Sequence, residues 1–307
     1  MLYPAVSSAV LAPCFWQRRI QAGDLSSRLY NAWLAQLVEQ GKAGGLTLVW
    51  QTNNVLFDLL LSALLWMFGP GPAQRIAVST AVLVFFWGAF ALVGAVSRRE
   101  TPWMWTPCLA MLAYGWVFHM GLFNFYVSLG LAFWALALAE RRRKHWRARW
   151  PMVGMLLAAA YVAHPMPVAW SIGVFAYTGV ARAIAPRNRI VLAGGSLAGL
   201  ALLGAVLKAA FHCQFASGQT LEFTGADQLW VFGNRYLPLA AAVLGLWAFA
   251  FHRLLKTRGL WRTAMDVRLH VWVLTAACVV LLPSIVVLPR SGYCGHGGYL
   301  LRFRLRG

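Results

Sequence analysis

The recurrence of long apolar segments along nearly the whole chain constrains the fold more than any other feature of the sequence. A helix needs roughly 20 apolar residues to cross the hydrocarbon core of a bilayer. The chain is 60% hydrophobic and 11% charged, whereas soluble domains are about 45–50% apolar and about 25% charged. Its 307 residues leave room for about eight or nine spans. We therefore predict an all-α, polytopic transmembrane helical bundle that forms one domain over residues 1–289.

The apolar run at residues 1–16 is short and is interpreted as the end of a first helix. Eight later stretches are the clearest span candidates, and several of them are also short. They cover residues 75–97, 103–118, 121–140, 150–163, 166–185, 189–211, 234–252 and 268–288.

The segment 48–68 decides the orientation of the bundle, because counting it as a crossing reverses the side of every later loop. It is apolar but carries Asn53, Asn54 and Asp58, and polar groups at membrane depth are costly unless they face protein or water. If it does not cross, four loops holding 16 of the 27 Lys and Arg residues become cytoplasmic, as the positive-inside rule favours. We therefore predict that residues 24–68 form an outer loop with juxtamembrane helices, of which 48–68 is an interfacial or re-entrant one.

The formal net charge of +19 does not indicate a nucleic-acid-binding protein. The basic residues lie in short runs between apolar segments and form no continuous hydrophilic surface. The five cysteines show no CxxC or Cys/His spacing, so neither a zinc site nor a disulfide framework is indicated. We expect membrane lipids as partners and no nucleic acid.

The outer segment 23–41 has the pattern of an amphipathic surface helix. Asp24 or Ser26 is a candidate N-cap, and Gly41 is a candidate C-terminal residue. The predicted apolar face comprises Leu29, Trp33, Leu34, Leu37 and Val38.

This region resembles the N-terminal part of the GT-C superfamily of glycosyltransferases, in the style of the protein mannosyltransferase and aminoarabinose transferase group. The resemblance covers roughly residues 20–185. It rests on Asp24, Tyr30, Ala32, Leu37 and Gly41, on the apolar run Leu65-Trp66-Met67-Phe68-Gly69-Pro70, and on Ala73-Gln74-Arg75-Ile76-Ala77.

The resemblance implies a membrane glycosyltransferase that moves a sugar from a polyprenyl-phosphate donor to an acceptor on the extracytoplasmic face. The expected location is the bacterial inner membrane, with a lipid-linked sugar donor as partner. The resemblance also implies an acidic residue soon after the first span, followed by juxtamembrane helices, which supports keeping 48–68 out of the count of crossings. The resemblance implies no definite cofactor, and it leaves open whether a divalent cation is required.

Inverting glycosyl transfer needs a base for the acceptor proton, and Asp24 at the lipid boundary is our candidate. Asp58 is a candidate second acid. Groups able to bind the leaving phosphate or the substrate are also present on the predicted outer side. They are Arg28, Tyr30, Asn31, Asn54, Arg75, His119, Asn124 and His164.

Five of these residues also have a purely structural interpretation. Asp24 could cap a helix, Arg28 could be an interfacial anchor, Asp58 could face the bundle, and the two histidines could be polar helix ends. For the protein as a whole, a transporter or flippase and a noncatalytic membrane scaffold are the rival classes. A pair of broken helices in two related halves would favour a transporter. The sequence contains no such internal repeat.

Two further segments carry expectations. Gly195 and Gly199, in GxxxG spacing, predict close helix packing. Residues 290–307 change abruptly to Gly, Arg and aromatic residues, which predicts an irregular tail outside the fold. Such a tail would be expected from a truncated chain or a shifted reading frame, and the protein could then be inactive.

Overall fold

The computed structural model describes residues 2–17, 19–48, 51–97, 102–140, 149–210, 237–282 and 302–303. Almost all described segments are helical, as predicted. The chain divides into two compact units, Met1–Ser171 with Gly295–Gly307, and Ile172–Cys294. Each unit is described by itself below.

The described residues of the first unit form eight α-helices and the beginning of a ninth. They are α1 (Leu2–Leu11), α2 (Leu25–Glu39), α3 (Leu56–Phe68), α4 (Pro70–Val96), α5 (Thr106–Ala113), α6 (Trp116–His119), α7 (Phe123–Glu140), α8 (Trp150–Ala163) and the first turns of α9 (Pro165–Ala183). A two-residue strand β1 (Leu46–Thr47) pairs antiparallel with β2 (Arg302–Phe303). The other residues of the predicted tail lie outside the described part of the chain.

Helices α4 and α7 form the centre of the first unit, because two glycines let their backbones approach closely. A Cβ at Gly88 would overlap the carbonyl oxygen of Gly130, and a Cβ at Gly130 would lie 2.8 Å from the Cα of Phe85. The ring of Phe85 stacks on Tyr126 of α7 with centroids 4.5 Å apart. Close backbone packing therefore occurs here. A Cβ added at Gly195 or Gly199, where the GxxxG spacing predicts close packing, would meet no atom of another helix within 4 Å.

The second unit contains the rest of α9, α10 (Asn188–Ala210), α11 (Leu237–Arg258), α12 (Leu260–Ala264) and α13 (Val267–Leu281). Helices α10 and α13 pack together, and a Cβ at Gly204 would overlap the carbonyl oxygen of Leu281. This close approach lies near the C-terminal ends of both helices.

Three helices of the described part are long and apolar enough to cross a membrane: Pro70–Val96, Phe123–Glu140 and Asn188–Leu207. The helices at several other predicted crossings are shorter, among them α8 with 14 residues and α13 with 15. The count of eight or nine crossings therefore stays a prediction.

Two predicted segments differ from the helices observed at the same place. The predicted span 103–118 is a 3-10 turn followed by the short helices α5 and α6, because Gly115 is extended (ψ −167°) and interrupts the helix. Among the described residues of the segment 48–68, the helical part is Leu56–Phe68, a length of about 20 Å, which is less than the hydrocarbon thickness of about 30 Å.

Candidate functional site

The loop that carries Asp24 is held by the turn between α6 and α7. The backbone N–H of Gly23 donates to the carbonyl of His119 at 2.7 Å, and that of Asp24 donates to Met120 at 3.2 Å. Gly121 has φ +75°, and a Cβ there would overlap the backbone nitrogen of Asp24. Only glycine satisfies both the left-handed backbone and this close approach, so the turn fixes the position of the candidate base.

Asp24 directly precedes α2, but its side chain makes no capping hydrogen bond. Instead its Oδ2 lies 3.8 Å from the Nη2 of Arg28, one turn along the helix, and the side chain is 34% exposed. Asp24 therefore combines an accessible carboxylate with a cationic neighbour. The other end of α2 is as predicted: Gly41 (φ +70°) and Lys42 donate to Val38 and Leu37, which is the Schellman arrangement.

Arg28 and Asp58 form a buried ion pair between α2 and α3. Nη1 of Arg28 donates to both carboxylate oxygens of Asp58, at 3.0 and 2.9 Å. The two residues are 5% and 2% exposed. Breaking a buried pair by removing one partner typically costs about 3–5 kcal/mol, because the other charge is left uncompensated. Arg28 therefore holds α2 against α3.

Asn124, in the first turn of α7, completes the cluster. Its Nδ2 donates to Oδ2 of Asp58 at 2.6 Å and to the carbonyl of Asn54 at 2.7 Å, while its Oδ1 accepts the N–H of Phe57 at 2.7 Å. Both amide hydrogens and the carbonyl are thus in use. The stacked rings of Phe57 and Phe123, 4.7 Å apart, lie beside this amide and help to exclude water.

The charges of this cluster do not balance. One arginine faces two aspartates, so the cluster of Asp24, Arg28 and Asp58 carries one excess negative charge when all three are ionised. Burial raises the pKa of Asp58, whereas the Arg28 guanidinium and the Asn124 amide act in the opposite direction. The ionised form of Asp58 therefore depends on these two neighbours.

The face of α2 that is buried in the protein is distinct from its predicted apolar face. Leu25, Arg28, Ala32 and Ala35 are buried, whereas the predicted apolar face is half-buried or exposed, with Trp33 47% exposed. Leu25, two alanines and the charge-paired Arg28 pack into the unit, and Leu29 packs partly against its core. An apolar face that lies along the membrane surface stays a prediction.

Exposed aromatic residues cluster at the helix ends near this loop. Phe15 and Trp16 follow α1, and Trp66 and Phe68 end α3. Arg75 and Gln74, at the start of α4, donate to the carbonyls of Gln17 and Ile20, which links the two ends. Exposed tryptophan at the ends of apolar helices is typical of the membrane–water interface.

The remaining predicted site residues lie around the cluster at different distances from it. His119 is exposed, and its carbonyl binds the Gly23 backbone. His164 ends α8, where its ring packs edge-on against Phe125 and its carbonyl accepts from Ser128. Asn54 has φ +60° and contributes its carbonyl to the cluster.

Tyr30 and Asn31 lie on α2, outside the hydrogen-bonded cluster. Tyr30 is exposed and packs against Trp33 at 5.7 Å. Asn31 is half-buried and makes no side-chain hydrogen bond to the described residues. The structure therefore brings Asp24, Arg28, Asn54, Asp58 and Asn124 together and leaves the other five nearer the surface or farther along the chain.

Sequence reasoning missed the parts of this arrangement that act through the backbone. Gly121 and Ser128 were not singled out, although a glycine between two apolar helical runs is a recognisable turn signal. Among the described residues no three His, Cys, Asp or Glu side chains come together as a metal site would require. Comparison with protein-family models, curated proteins and solved structures found no match to this chain.

Proposed function

We propose that this protein is an integral membrane glycosyltransferase that moves a sugar from a polyprenyl-phosphate donor to an acceptor on the extracytoplasmic face of the bacterial inner membrane. The proposal includes eight or nine crossings, of which three have helices of sufficient length and apolarity. It rests on the resemblance of residues 20–185 and on one structural observation, the accessible carboxylate of Asp24 held beside the buried Arg28–Asp58 pair.

Asp24 has the properties required of a general base. Its carboxylate reaches solvent, it follows α1, and exposed aromatic residues lie at the neighbouring helix ends. A polyprenyl-phosphate donor embedded in the membrane would present its sugar at the level of these aromatic residues. The acceptor hydroxyl would give its proton to Asp24 as its oxygen attacks the anomeric carbon, and the polyprenyl phosphate would leave with the electrons of the broken bond.

The other residues of the cluster receive supporting roles in this proposal. Arg28 and Asp58 are too well paired and too buried to meet the substrate, so we assign both as positioning residues for Asp24. Binding of the leaving phosphate is assigned to cationic or donor groups nearer the surface, His119 and Arg75. His119 is favoured because its backbone contacts the loop that carries Asp24.

The test is transfer of labelled sugar from a panel of polyprenyl-phosphate hexoses and pentoses by the purified full-length protein in native-like membranes. General-base catalysis typically contributes about 10²–10⁴-fold, so Asp24→Asn should lower the rate by about that factor. Glu39→Gln, at the exposed far end of the same helix, is the matched control and should retain full activity. Unchanged transfer by Asp24→Asn would remove the assigned base.

The buried ion pair also fits the alternative of a transporter, since charged groups inside apolar helical proteins often line ion or substrate paths. That alternative predicts uptake or exchange of a solute in sealed vesicles. It further predicts that Asp58→Asn, rather than Asp24→Asn, abolishes the flux. No sugar transfer from any donor, combined with Asp58-dependent flux, would replace the glycosyltransferase proposal with this one.

A further inference from the structure

One end of the second unit gathers an unusual density of positive charge. Eight cationic residues lie at or near the helix ends there, and all are exposed except the half-buried Arg189. They are Arg182, Arg187, Arg189, Arg253, Lys256, Arg258, Arg262 and Arg268. Asp266 is the single acidic residue in 172–210 and 237–282.

Specific contacts hold these helix ends together. Nε of Arg189, at the start of α10, donates to the carbonyl of Ala181 near the end of α9. Arg258, at the end of α11, pairs with Asp266 before α13 at 3.3 Å. These contacts join the end of α9 to the start of α10, and the end of α11 to the start of α13.

A buried histidine connects the two pairs. His270 bonds through Nδ1 to the hydroxyl of Tyr177 on α9 at 2.7 Å and through Nε2 to the carbonyl of Ala264 on α12 at 2.6 Å. A carbonyl can only accept, so Nε2 carries a hydrogen. Because this contact ties α9 to α13, the cationic residues of all four helix ends share one surface.

The position of this surface relative to an apolar helix indicates its partner. Residues Asn188–Leu207 of α10 are apolar enough to cross a membrane, and only 6% of that stretch is buried. An exposed apolar helix of this length is long enough to cross a bilayer, and its first turn, with Arg189, would then lie at headgroup level. Leu260 and Trp261 of α12 are 67% and 70% exposed among the cations, as expected for side chains that enter the acyl boundary.

We infer that this cationic surface binds the phosphate groups of anionic phospholipids in the adjacent leaflet. Orientation by the positive-inside rule alone would not require exposed apolar side chains among the charges. The inference uses the membrane location in the proposed function but none of its chemistry, so it stands or falls independently of Asp24.

The test measures lipid retained by the purified full-length protein in neutral detergent, by native mass spectrometry. The probes are phosphatidylglycerol and phosphatidylcholine of equal chain length, with inorganic phosphate and a single-stranded oligonucleotide as competitors. Phosphatidylglycerol should bind at least about tenfold more tightly than phosphatidylcholine, since each nearby cation contributes roughly fivefold.

Arg262→Gln with Arg268→Gln should remove most of that preference, whereas Arg19→Gln with Lys42→Gln, two exposed cations of the first unit, should leave it intact. Trp261→Ala should weaken the binding of both lipids by a similar factor. The inference would be overturned if the two lipids bound equally, or if the control variant lost the preference for phosphatidylglycerol to the same extent. It would also be overturned if inorganic phosphate or the oligonucleotide displaced the lipid at concentrations below that of the lipid. Recovery of the protein without detergent would instead contradict its membrane location.

Discussion

Arg28 on α2 reaches both carboxylate oxygens of Asp58 on α3 through a single nitrogen, Nη1, at 3.0 and 2.9 Å. Its Nη2 is thereby left on the side of Asp24, 3.8 Å from that carboxylate, and its Nε has no partner among the described residues. One guanidinium thus links a buried acid to an accessible one. The stability of the loop region and the orientation of Asp24 depend on the same side chain.

The buried pair predicts a non-additive double-mutant cycle. Asp58→Leu alone should destabilise the protein by about 3–5 kcal/mol, because Arg28 would remain buried without a counter-charge. Arg28→Met combined with Asp58→Leu should cost much less than the sum of the two single changes. Thermal unfolding of the four proteins in the same detergent measures the coupling, and additive losses would show that the pair is not formed.

The raised pKa of Asp58 predicts a pH-dependent effect of removing Arg28. Ionising a carboxyl whose folded-state pKa is raised costs folding free energy as the pH rises through that pKa. Arg28→Met removes the charge that lowers the pKa, so this cost becomes larger. The melting-temperature difference between the variant and the unaltered protein should therefore shrink as the pH falls below the raised pKa of Asp58, where its carboxyl is protonated.

Asp24→Asn provides the comparison for this measurement. It removes a neighbouring carboxylate that acts to raise the pKa of Asp58, so it should not reproduce the pH-dependent loss. A melting-temperature difference for Arg28→Met that stays constant with pH would contradict an Asp58 whose ionisation depends on Arg28.

Gly121→Ala tests the turn that positions Asp24. The left-handed backbone and the overlap with the Asp24 nitrogen should cost about 1–3 kcal/mol of stability. A displacement of about 1 Å at a catalytic group can lower a rate by about 10²-fold, so sugar transfer should fall by more than the stability loss explains. Gly154→Ala, in α8 with open space around it, is the control: it should leave sugar transfer unchanged and raise stability by at most about 1 kcal/mol, because alanine favours a helix interior.

Asn124→Ala tests the amide that joins α7 to α3. Each buried group left without a partner costs about 1–3 kcal/mol, and the change removes partners from Asp58, Phe57 and Asn54 together. We expect a loss of several kcal/mol, measured by thermal unfolding. Asn31→Ala, at a half-buried site, should have a small effect, and similar losses in the two variants would argue against the cluster.

The sequence was sufficient for features that depend on local composition and spacing. The helical class follows from the apolar segments, and the end of α2 follows from Gly41, because these depend on hydrophobicity and on glycine's access to positive φ. The α7 helix was placed to within two residues for the same reason. The break at Gly115 was missed, because an isolated glycine in an apolar run does not show whether the helix continues.

The candidate site separates into a part that was readable from the sequence and a part that was not. Asp24 was recognised by its position after the first apolar run, and Asp58 and Asn54 as polar residues in an apolar segment. Their pairing was not readable, since Arg28, Asp58 and Asn124 are separated by 30 and 66 positions and meet only when α2, α3 and α7 pack. The face that α2 buries was likewise decided by what fits against α3.

The sequence by itself thus determined that this chain forms apolar helices and where its charges fall between them, because hydrophobic burial and backbone propensity act over a few neighbouring residues. Only the tertiary structure decided that one arginine would be taken up by a buried aspartate and that another aspartate would be left accessible beside it. Long-range pairing depends on which helix faces meet, and that is a property of the packed chain as a whole.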